Sequence, residues 1–297
     1  MTPSFLQKGD QIRIITPSGA IDPSLIDGAK CTLESWGLNV TEGEFARTAF
    51  GRFGGTKEQR ISDIQAAFDD PQVKAILCSR GGYGVAQLID AIDFTKFKQA
   101  PKWLIGFSDI TILHNAISNN GVASIHGIMA KHLTELPAEC EQVVGLKKIL
   151  FGELPHYQIP THPLNKLGTA NGKLVGGNLS VIAGMIGTPF DLDYEGNILF
   201  LEEIAEQPYH IDRMLQNLRL SGALAKIKGV VIGQFEGCDE DPQMMQTLPE
   251  TIRDAFKDYD YPICFNFPAG HVDYNLALVM GENVKLEVNN KESRLHY

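Results

Sequence analysis

The sequence has 297 residues, 43% of them hydrophobic and 21% charged, which is typical of a globular protein with room for two domains. Its net charge of -10 argues against a nucleic-acid partner, because binding phosphates requires a basic surface. No apolar run approaches the roughly 18 residues of a membrane-spanning helix, and the N-terminus lacks the basic and apolar segments of a secretory signal. We therefore expect a soluble cytoplasmic protein without a membrane partner.

Cysteine usage and ligand spacing point to a protein without metal or cofactor. The five cysteines are an odd number, are widely scattered and form no C-x-x-C pair, which is typical of reduced thiols in the cytosol. The chain offers no compact set of histidine, cysteine and carboxylate ligands. It also contains neither of the common nucleotide-binding glycine motifs.

The first half of the chain alternates short apolar runs with amphipathic segments. This pattern predicts strands over residues 11–16, 38–42, 73–78, 103–107 and 123–126. The segments between them predict helices over 24–36, over 57–68 with Thr56 as N-cap, before Ile92 and from Asp109 onward. Alternating strands and helices predict an α/β fold with a parallel sheet, in which ligands bind at the carboxyl ends of the strands.

The pattern changes at residues 153–168, where three prolines interrupt a polar stretch. We interpret this stretch as a linker between a domain over residues 1–152 and a domain over residues 169–297. The second domain is predicted to contain strands near 198–203 and 227–232, helices over 179–185, 209–220 and 248–256, and several short strands at its end.

Ser108 lies where the predicted strand 103–107 meets a helix. A serine on such a turn has its hydroxyl beyond the edge of the sheet, beside helix N–H groups that favour negative charge, as an activated nucleophile requires. Serine and aspartate are also common at helix starts, so Ser108 and Asp109 are open to interpretation as a simple cap. Ile110 stands where the second glycine of G-x-S-x-G would be.

A nucleophilic serine requires a base and a carboxylate that orients the base. Glu202 follows an apolar strand directly and Glu203 comes next, although charged residues also merely mark the ends of strands. His271 lies in a loop with proline and glycine, where catalytic histidines are common but solvated ones are too. His114 and His126 are weaker candidates for the base.

Gly81 and Gly82 follow the predicted strand 73–78. Consecutive glycines allow backbone N–H groups to converge on an anion, so they form either an oxyanion hole or only a tight turn. Since this loop and Ser108 both lie at carboxyl ends of strands, they are expected to share one crevice.

Taken together and in order, these motifs resemble the LD-carboxypeptidase family of serine peptidases, which includes muramoyltetrapeptide carboxypeptidases and microcin C immunity peptidases. The resemblance covers nearly the whole chain. It is carried by Gly54-Gly55-Thr56-x-x-x-Arg60-x-x-Asp63, residues 75–84, Gly106-Phe107-Ser108-Asp109, Leu201-Glu202-Glu203 with Pro208-Tyr209-x-Ile211-Asp212-Arg213, and Gly270-His271.

The resemblance implies Ser108 as nucleophile, His271 as general base and Glu202 as orienting carboxylate. Glu202 is preferred to Glu203 because the family's glutamate directly follows the apolar strand. Backbone N–H groups of Asp109 and of the Gly81–Gly82 loop would form the oxyanion hole. The implied architecture is a flavodoxin-like N-terminal domain and a smaller β-barrel-like C-terminal domain, usually as a homodimer.

The resemblance also implies hydrolysis of the bond between an L-centre and a terminal D-alanine in muropeptide tetrapeptides, during peptidoglycan recycling. The leaving residue carries a carboxylate, for which Arg80 is the candidate partner, with a role in tying down its own loop as the alternative. An immunity-type peptidase that cleaves a peptidyl-nucleotide toxin and a non-catalytic two-domain binding protein remain alternatives. α/β-Hydrolases have the same order of Ser, Glu and His. The absence of the second glycine after Ser108 and the late strands of the second domain argue against that fold.

Overall fold

The computed structural model describes residues 1–297, and the chain forms two compact units. The first comprises Met1–Leu154 and Leu276–Val279, and the second Pro155–Asn275 and Met280–Tyr297. The strands are β1 (Gln11–Ile15), β2 (Asn39–Glu42), β3 (Val73–Cys78), β4 (Trp103–Gly106), β5 (Ser124–His126), β6 (His156–Pro160), β7 (Gly168–Asn178), β8 (Ile198–Ile204), β9 (Gly229–Glu236), β10 (Ile263–Cys264), β11 (Leu278–Met280), β12 (Asn283–Val288) and β13 (Glu292–His296).

The α-helices are distributed over both units. They are α1 (Pro23–Ser35), α2 (Lys57–Asp69), α3 (Thr95–Gln99), α4 (Thr111–Asn119), α5 (Ala130–Glu135), α6 (Glu141–Leu150), α7 (Leu179–Met185), α8 (Pro208–Leu220), α9 (Ala223–Lys226) and α10 (Leu248–Ala255). None of them is both long and apolar enough to cross a bilayer.

The sheet of the first unit has the order β2-β1-β3-β4-β5, with β11 beside β5. The pairs β1–β2, β1–β3, β3–β4 and β4–β5 are all parallel. This is the flavodoxin-like strand order, so the predicted α/β fold class is confirmed. Because β1, β3 and β4 are neighbours, the loops that follow their carboxyl ends meet at one edge of the sheet.

Most predicted elements of the first unit are present, because their apolar residues are buried and their caps are formed. Strands β3 and β4 are buried apolar runs, with Leu77 and Ile105 both fully buried. Helix α2 begins with a capping box in which Thr56 and Gln59 exchange side-chain and backbone hydrogen bonds, as its sequence predicts.

The prediction of a continuous helix before Ile92 is wrong. Residues Val85–Gln87 and Ile89–Ala91 form two separate 3-10 turns. Val85, Leu88, Ile89 and Ile92 are all buried, so the apolar spacing of a helix is present. Leu88, however, has φ of -130° and ψ of -11°, outside the helical range, and this interrupts the hydrogen-bonded turns.

The second unit is built on a seven-stranded sheet with the order β10-β9-β8-β7-β12-β13-β6. Strands β10, β9, β8 and β7 pair in parallel, whereas β7, β12, β13 and β6 pair antiparallel. Helices α7, α8 and α10 bury apolar side chains against the parallel part, in a cluster that includes Ile182, Leu199, Leu215 and Ile252.

The interpretation of residues 153–168 as a linker requires a correction. This stretch contains β6, which pairs with β13 and places Ile159 opposite Ser293. An edge strand in a sheet tolerates proline at its end and is paired on one side only, so its composition resembles that of a loop. The division between the units falls at Leu154 and Pro155, and Leu276–Val279 returns to the first unit.

Candidate functional site

Ser108 lies two residues after the end of β4 and adopts a left-handed backbone conformation, with φ of 68°. This conformation is unusual for a residue with a Cβ atom and marks a strained turn. The side chain is partly exposed. A strained strand-to-helix turn that presents a serine hydroxyl is the geometry of a nucleophile elbow.

The alternative interpretation of Ser108 as a helix cap finds no support in the hydrogen bonds. Phe107 is the residue before the 3-10 turn Ser108–Ile110, and Ile110 is the residue before α4. Neither start has a side-chain cap. Ser108 lies inside the 3-10 turn and is the capping residue of neither segment.

The Gly81–Gly82 loop lies against the turn that carries Ser108, within the first unit. A Cβ atom on Gly81 would lie 2.7 Å from Cβ and 2.8 Å from Oγ of Ser108, closer than real carbon atoms approach. Gly82 has φ of +134°, which side chains rarely allow. Both glycines are therefore required where they stand, one by close approach and the other by its backbone conformation.

Backbone contacts orient the peptide that joins Gly81 to Gly82. The carbonyl oxygen of Gly81 accepts a hydrogen bond from the N–H of Gly19, at 3.3 Å. In a trans peptide the carbonyl and the N–H point in opposite directions, so the N–H of Gly82 points away from Gly19. This loop thus has a fixed N–H group of the kind that binds an oxyanion.

Arg80 is exposed and holds this loop from outside. Its Nε donates to the carbonyl oxygen of Gly81 at 3.2 Å, and its Nη1 donates to that of Ala20 at 3.2 Å. A guanidinium has five N–H donors. These two contacts use two of them.

Asp109 is buried, and its side chain does not face solvent at the helix start. Its Oδ2 accepts hydrogen bonds from Oγ of Ser18 at 2.6 Å and from the N–H of Val85 at 3.0 Å. Burial raises the pKa of the Asp109 carboxyl, while these hydrogen bonds and the charge of Arg60 lower it. Ser18 and Arg60 were not predicted to have a role at this site.

In the second unit, Glu202 and His271 are in contact. Nδ1 of His271 lies 2.7 Å from Oε2 of Glu202, whose side chain is fully buried. A carboxylate only accepts hydrogen bonds, so Nδ1 carries the proton and Nε2 is the basic ring nitrogen. This is the arrangement by which a carboxylate fixes the tautomer of a catalytic histidine.

Local irregularities of the sheet position this pair. The register of β8 and β9 shifts between Leu201 and Glu203, so that Gly233 and Gln234 of β9 both lie opposite Glu202. Such bulges redirect side chains and are frequent near active sites. A Cβ atom on Gly233 would lie 2.5 Å from the carbonyl oxygen of Ala269. Only glycine therefore permits the loop that carries His271, called the histidine loop below, to pack here.

The histidine loop is held further by Asn275, whose Oδ1 accepts from the N–H of Gly270 at 3.0 Å. No role for this asparagine was predicted from the sequence. Its only signal is its position within a loop that also contains proline and glycine.

Glu203 has a different set of partners. Its carboxylate accepts from Nδ2 of Asn178 at 2.8 Å, from the N–H of Ser180 at 2.7 Å and from its neighbour Ile204 at 2.9 Å. Burial raises the pKa of the Glu203 carboxyl. Glu203 therefore fixes the start of α7, and Glu202 is the residue that contacts the histidine.

Two further histidines are buried in the first unit. His114 contacts Oγ of Ser124 through Nδ1 and the carbonyl oxygen of Gly106 through Nε2, each at 2.8 Å. Burial lowers the pKa of His114 to about 4. His126 is also fully buried, and its ring packs near Phe107. The structure contains no group of three or more His, Cys, Asp or Glu side chains arranged to hold a metal ion.

Comparisons with known proteins identify the family of this chain. Residues 12–127 match the model of the LD-carboxypeptidase N-terminal domain, and residues 171–286 match that of the C-terminal domain. A probable murein peptide carboxypeptidase of Bacillus subtilis is 35% identical, over 97% of this chain and 92% of its own length.

Solved structures show the same fold over the full length. The muramoyltetrapeptide carboxypeptidase of Oxalobacter formigenes superposes with a TM-score of 0.88 and 28% identity, covering 96% of this chain and 97% of its own. The microcin C7 self-immunity protein MccF has a TM-score of 0.87 at 19% identity, covering 100% of this chain and 98% of its own, and shares the fold alone. The chain is therefore a peptidase that belongs to the LD-carboxypeptidase family.

Proposed function

We propose that this protein is a serine LD-carboxypeptidase that removes the terminal D-alanine from muropeptide tetrapeptides. The relatives named for murein peptides support the substrate class. The observation that carries the mechanism is the contact between the buried carboxylate of Glu202 and Nδ1 of His271. It supplies the oriented base that a serine nucleophile requires.

In the proposed reaction, Oγ of Ser108 attacks the carbonyl carbon of the scissile bond while Nε2 of His271 takes its proton. Glu202 holds the imidazole in the required tautomer and stabilises the imidazolium. The carbonyl oxygen becomes an oxyanion, which accepts from the backbone N–H groups of Asp109 and of the Gly81–Gly82 loop.

Collapse of the tetrahedral intermediate breaks the peptide bond, and His271 gives its proton to the leaving amine of D-alanine. Water then enters, His271 takes one of its protons, and hydroxide adds to the acyl carbon. Collapse of this second intermediate returns the proton to Oγ of Ser108 and releases the tripeptide.

Terminal-carboxylate recognition is part of the proposal, because the leaving residue is an anion that loses water on binding. A desolvated anion needs a cation or several N–H donors. Arg80 is proposed for this role through the N–H groups that its contacts with Gly81 and Ala20 do not use.

We also propose that the protein acts in peptidoglycan recycling, in the cytoplasm, as a homodimer. Light scattering after gel filtration tests the dimer. A mass of one chain would contradict it.

The activity is tested by measuring the release of D-alanine from a muramoyl tetrapeptide with mass spectrometry. We expect release from the D-alanine substrate, none from the same peptide ending in L-alanine, and none with Ser108→Ala. An aminoacyl-sulfamoyl adenosine serves as a parallel substrate for the immunity-type alternative. Cleavage of that compound alone would reassign the substrate, and binding without product from either would indicate a binding protein.

A further inference from the structure

Three loops follow the adjacent strands β1, β3 and β4, and one buried carboxylate connects them. Asp109 is only 4% exposed and comes directly after the nucleophile. It accepts from Ser18 in the loop after β1 and from Val85 in the loop after β3. Two donors, one from each neighbouring loop, thus converge on a group whose own backbone belongs to the turn that carries Ser108.

A buried arginine binds the carbonyl group of the peptide that joins Gly84 to Val85. Arg60 is 2% exposed, and its Nη1 donates to the carbonyl oxygens of Gly84 at 3.1 Å and of Pro17 at 3.2 Å. A Cβ atom on Gly84 would lie 2.4 Å from this nitrogen. The loop that begins with Gly81 and Gly82 is therefore fixed at its far end by Asp109 through the N–H of Val85 and by Arg60 through the carbonyl group of Gly84.

We propose that Asp109 is a positioning residue, whose carboxylate holds the 81–85 loop against the Ser108 turn and so aims the backbone N–H groups at the oxyanion. Its kinetic consequence rests on the proposed function. Oxyanion contacts form fully only in the transition state, so a displaced loop lowers kcat more than it changes KM.

The direction in which the rate changes when Asp109 is neutralised distinguishes this positioning role from a simple effect of charge. A negative carboxylate near a developing oxyanion repels it, so neutralising Asp109 would increase the rate if its charge alone mattered. The positioning role requires the opposite result. Asparagine replaces one acceptor oxygen by an NH₂ group that cannot accept from Ser18 or Val85.

The chain offers a matched control in Asp63. This carboxylate is 5% exposed and accepts from the N–H of Phe45 at 3.0 Å, in the segment after β2. Asp63→Asn makes the same chemical change in an equally buried site of the same unit. Both variants are expected to lower the melting temperature.

The first readout is steady-state release of D-alanine from the muramoyl tetrapeptide. We expect Asp109→Asn to lower kcat by about 10²-fold, the effect of losing one oxyanion donor, with KM within a factor of three. Asp63→Asn should retain nearly the wild-type kcat. Equal kcat values for the two variants, or a faster Asp109→Asn enzyme, would overturn the inference.

The second readout needs no substrate and uses hydrogen–deuterium exchange of the intact protein. Asp109→Asn should accelerate exchange in peptides that cover residues 80–87, and Asp63→Asn should accelerate it in those covering 43–47. Unchanged exchange at 80–87 would contradict the positioning role even if the wild type proves to have no carboxypeptidase activity. Conversely, an inactive wild type with the expected exchange pattern would reject only the proposed function.

Ser18→Ala provides a second variant if Asp109→Asn does not fold. It removes one of the two donors and leaves the carboxylate in place. We expect kcat to fall by about fivefold and exchange at 80–87 to increase modestly. Wild-type values for both would overturn the inference.

Discussion

Nδ1 of His271 lies 2.7 Å from Oε2 of Glu202, although 69 residues separate the two in the chain. The adjacent Glu203 has the same side chain and similar burial, but it accepts from Asn178, Ser180 and Ile204 instead. One strand thus carries two glutamates with different tasks. The β-bulge opposite Glu202 is the local reason that its side chain meets the histidine loop.

Replacing each glutamate by glutamine should separate these tasks. Glu202→Gln is expected to lower kcat by about 10³- to 10⁴-fold, because the amide no longer fixes the imidazole tautomer. Glu203→Gln should mainly lower the melting temperature and keep most of the activity. D-alanine release and thermal unfolding of both variants check this, and a larger loss of kcat in Glu203→Gln would reassign the carboxylate.

Removal of the nucleophile or of the base should abolish turnover without unfolding the protein. Ser108→Ala and His271→Ala are each expected to lose on the order of 10⁴- to 10⁶-fold in rate. Because these residues act as a unit, the double variant should be little worse than either single one. Substantial activity in Ser108→Ala would return that residue to a structural role.

The close approach of Gly81 to Ser108 predicts a sharp effect of a single methyl group. Gly81→Ala would place Cβ 2.7 Å from Cβ of Ser108, so one of the two segments must shift. We expect kcat to fall by about 10²-fold or more, the scale for a displacement near 1 Å. Gly145→Ala is the control, since Gly145 lies in α6 with open space around it, and it should be active and slightly more stable.

Recognition of the terminal carboxylate can be tested with paired substrates. Amidating the D-alanine carboxylate should weaken kcat/KM by about 2 to 4 kcal/mol, the scale for leaving one partner of a desolvated charge pair unmatched. Arg80→Ala should then lose activity on the acid and discriminate little between acid and amide. If it is slower on both substrates and still discriminates fully, Arg80 serves only to hold Gly81 and Ala20.

Burial of His114 predicts a loss of stability in mild acid. Its pKa is about 4 in the folded state and 6.5 for an unperturbed histidine, so below pH 6.5 the unfolded chain binds the proton more readily. The contribution of His114 to the free energy of unfolding is therefore complete above pH 6.5. It declines as the pH falls toward 4, by about 2 kcal/mol at pH 5.

Urea unfolding at pH 7 and pH 5 measures this effect. Both tryptophans of the chain, Trp36 and Trp103, lie in the first unit with His114, so their fluorescence follows that unit. His114→Gln should show a smaller difference in unfolding free energy between the two pH values than the wild type. Equal differences would show that another group is responsible.

Periodicity and composition alone determined the alternating strands and helices of the first unit and most elements of the second. These features are local, because a buried strand and an amphipathic helix each require a particular spacing of apolar residues. Local patterns failed at residues 85–92, where two 3-10 turns share the apolar spacing of a helix. They also failed at β6, whose edge position permits the composition of a linker.

Only the tertiary structure decided how the candidate residues are used. The sequence presents Ser108 as a nucleophile or a cap, and the left-handed backbone and absent capping bonds favour the first. It presents two adjacent glutamates, and a register shift brings one of them to His271. The contacts that Asp109, Ser18 and Arg60 make between loops were hidden for the same reason. Hydrogen bonds between loops depend on the order of strands in the sheet, which residue spacing along the chain does not encode.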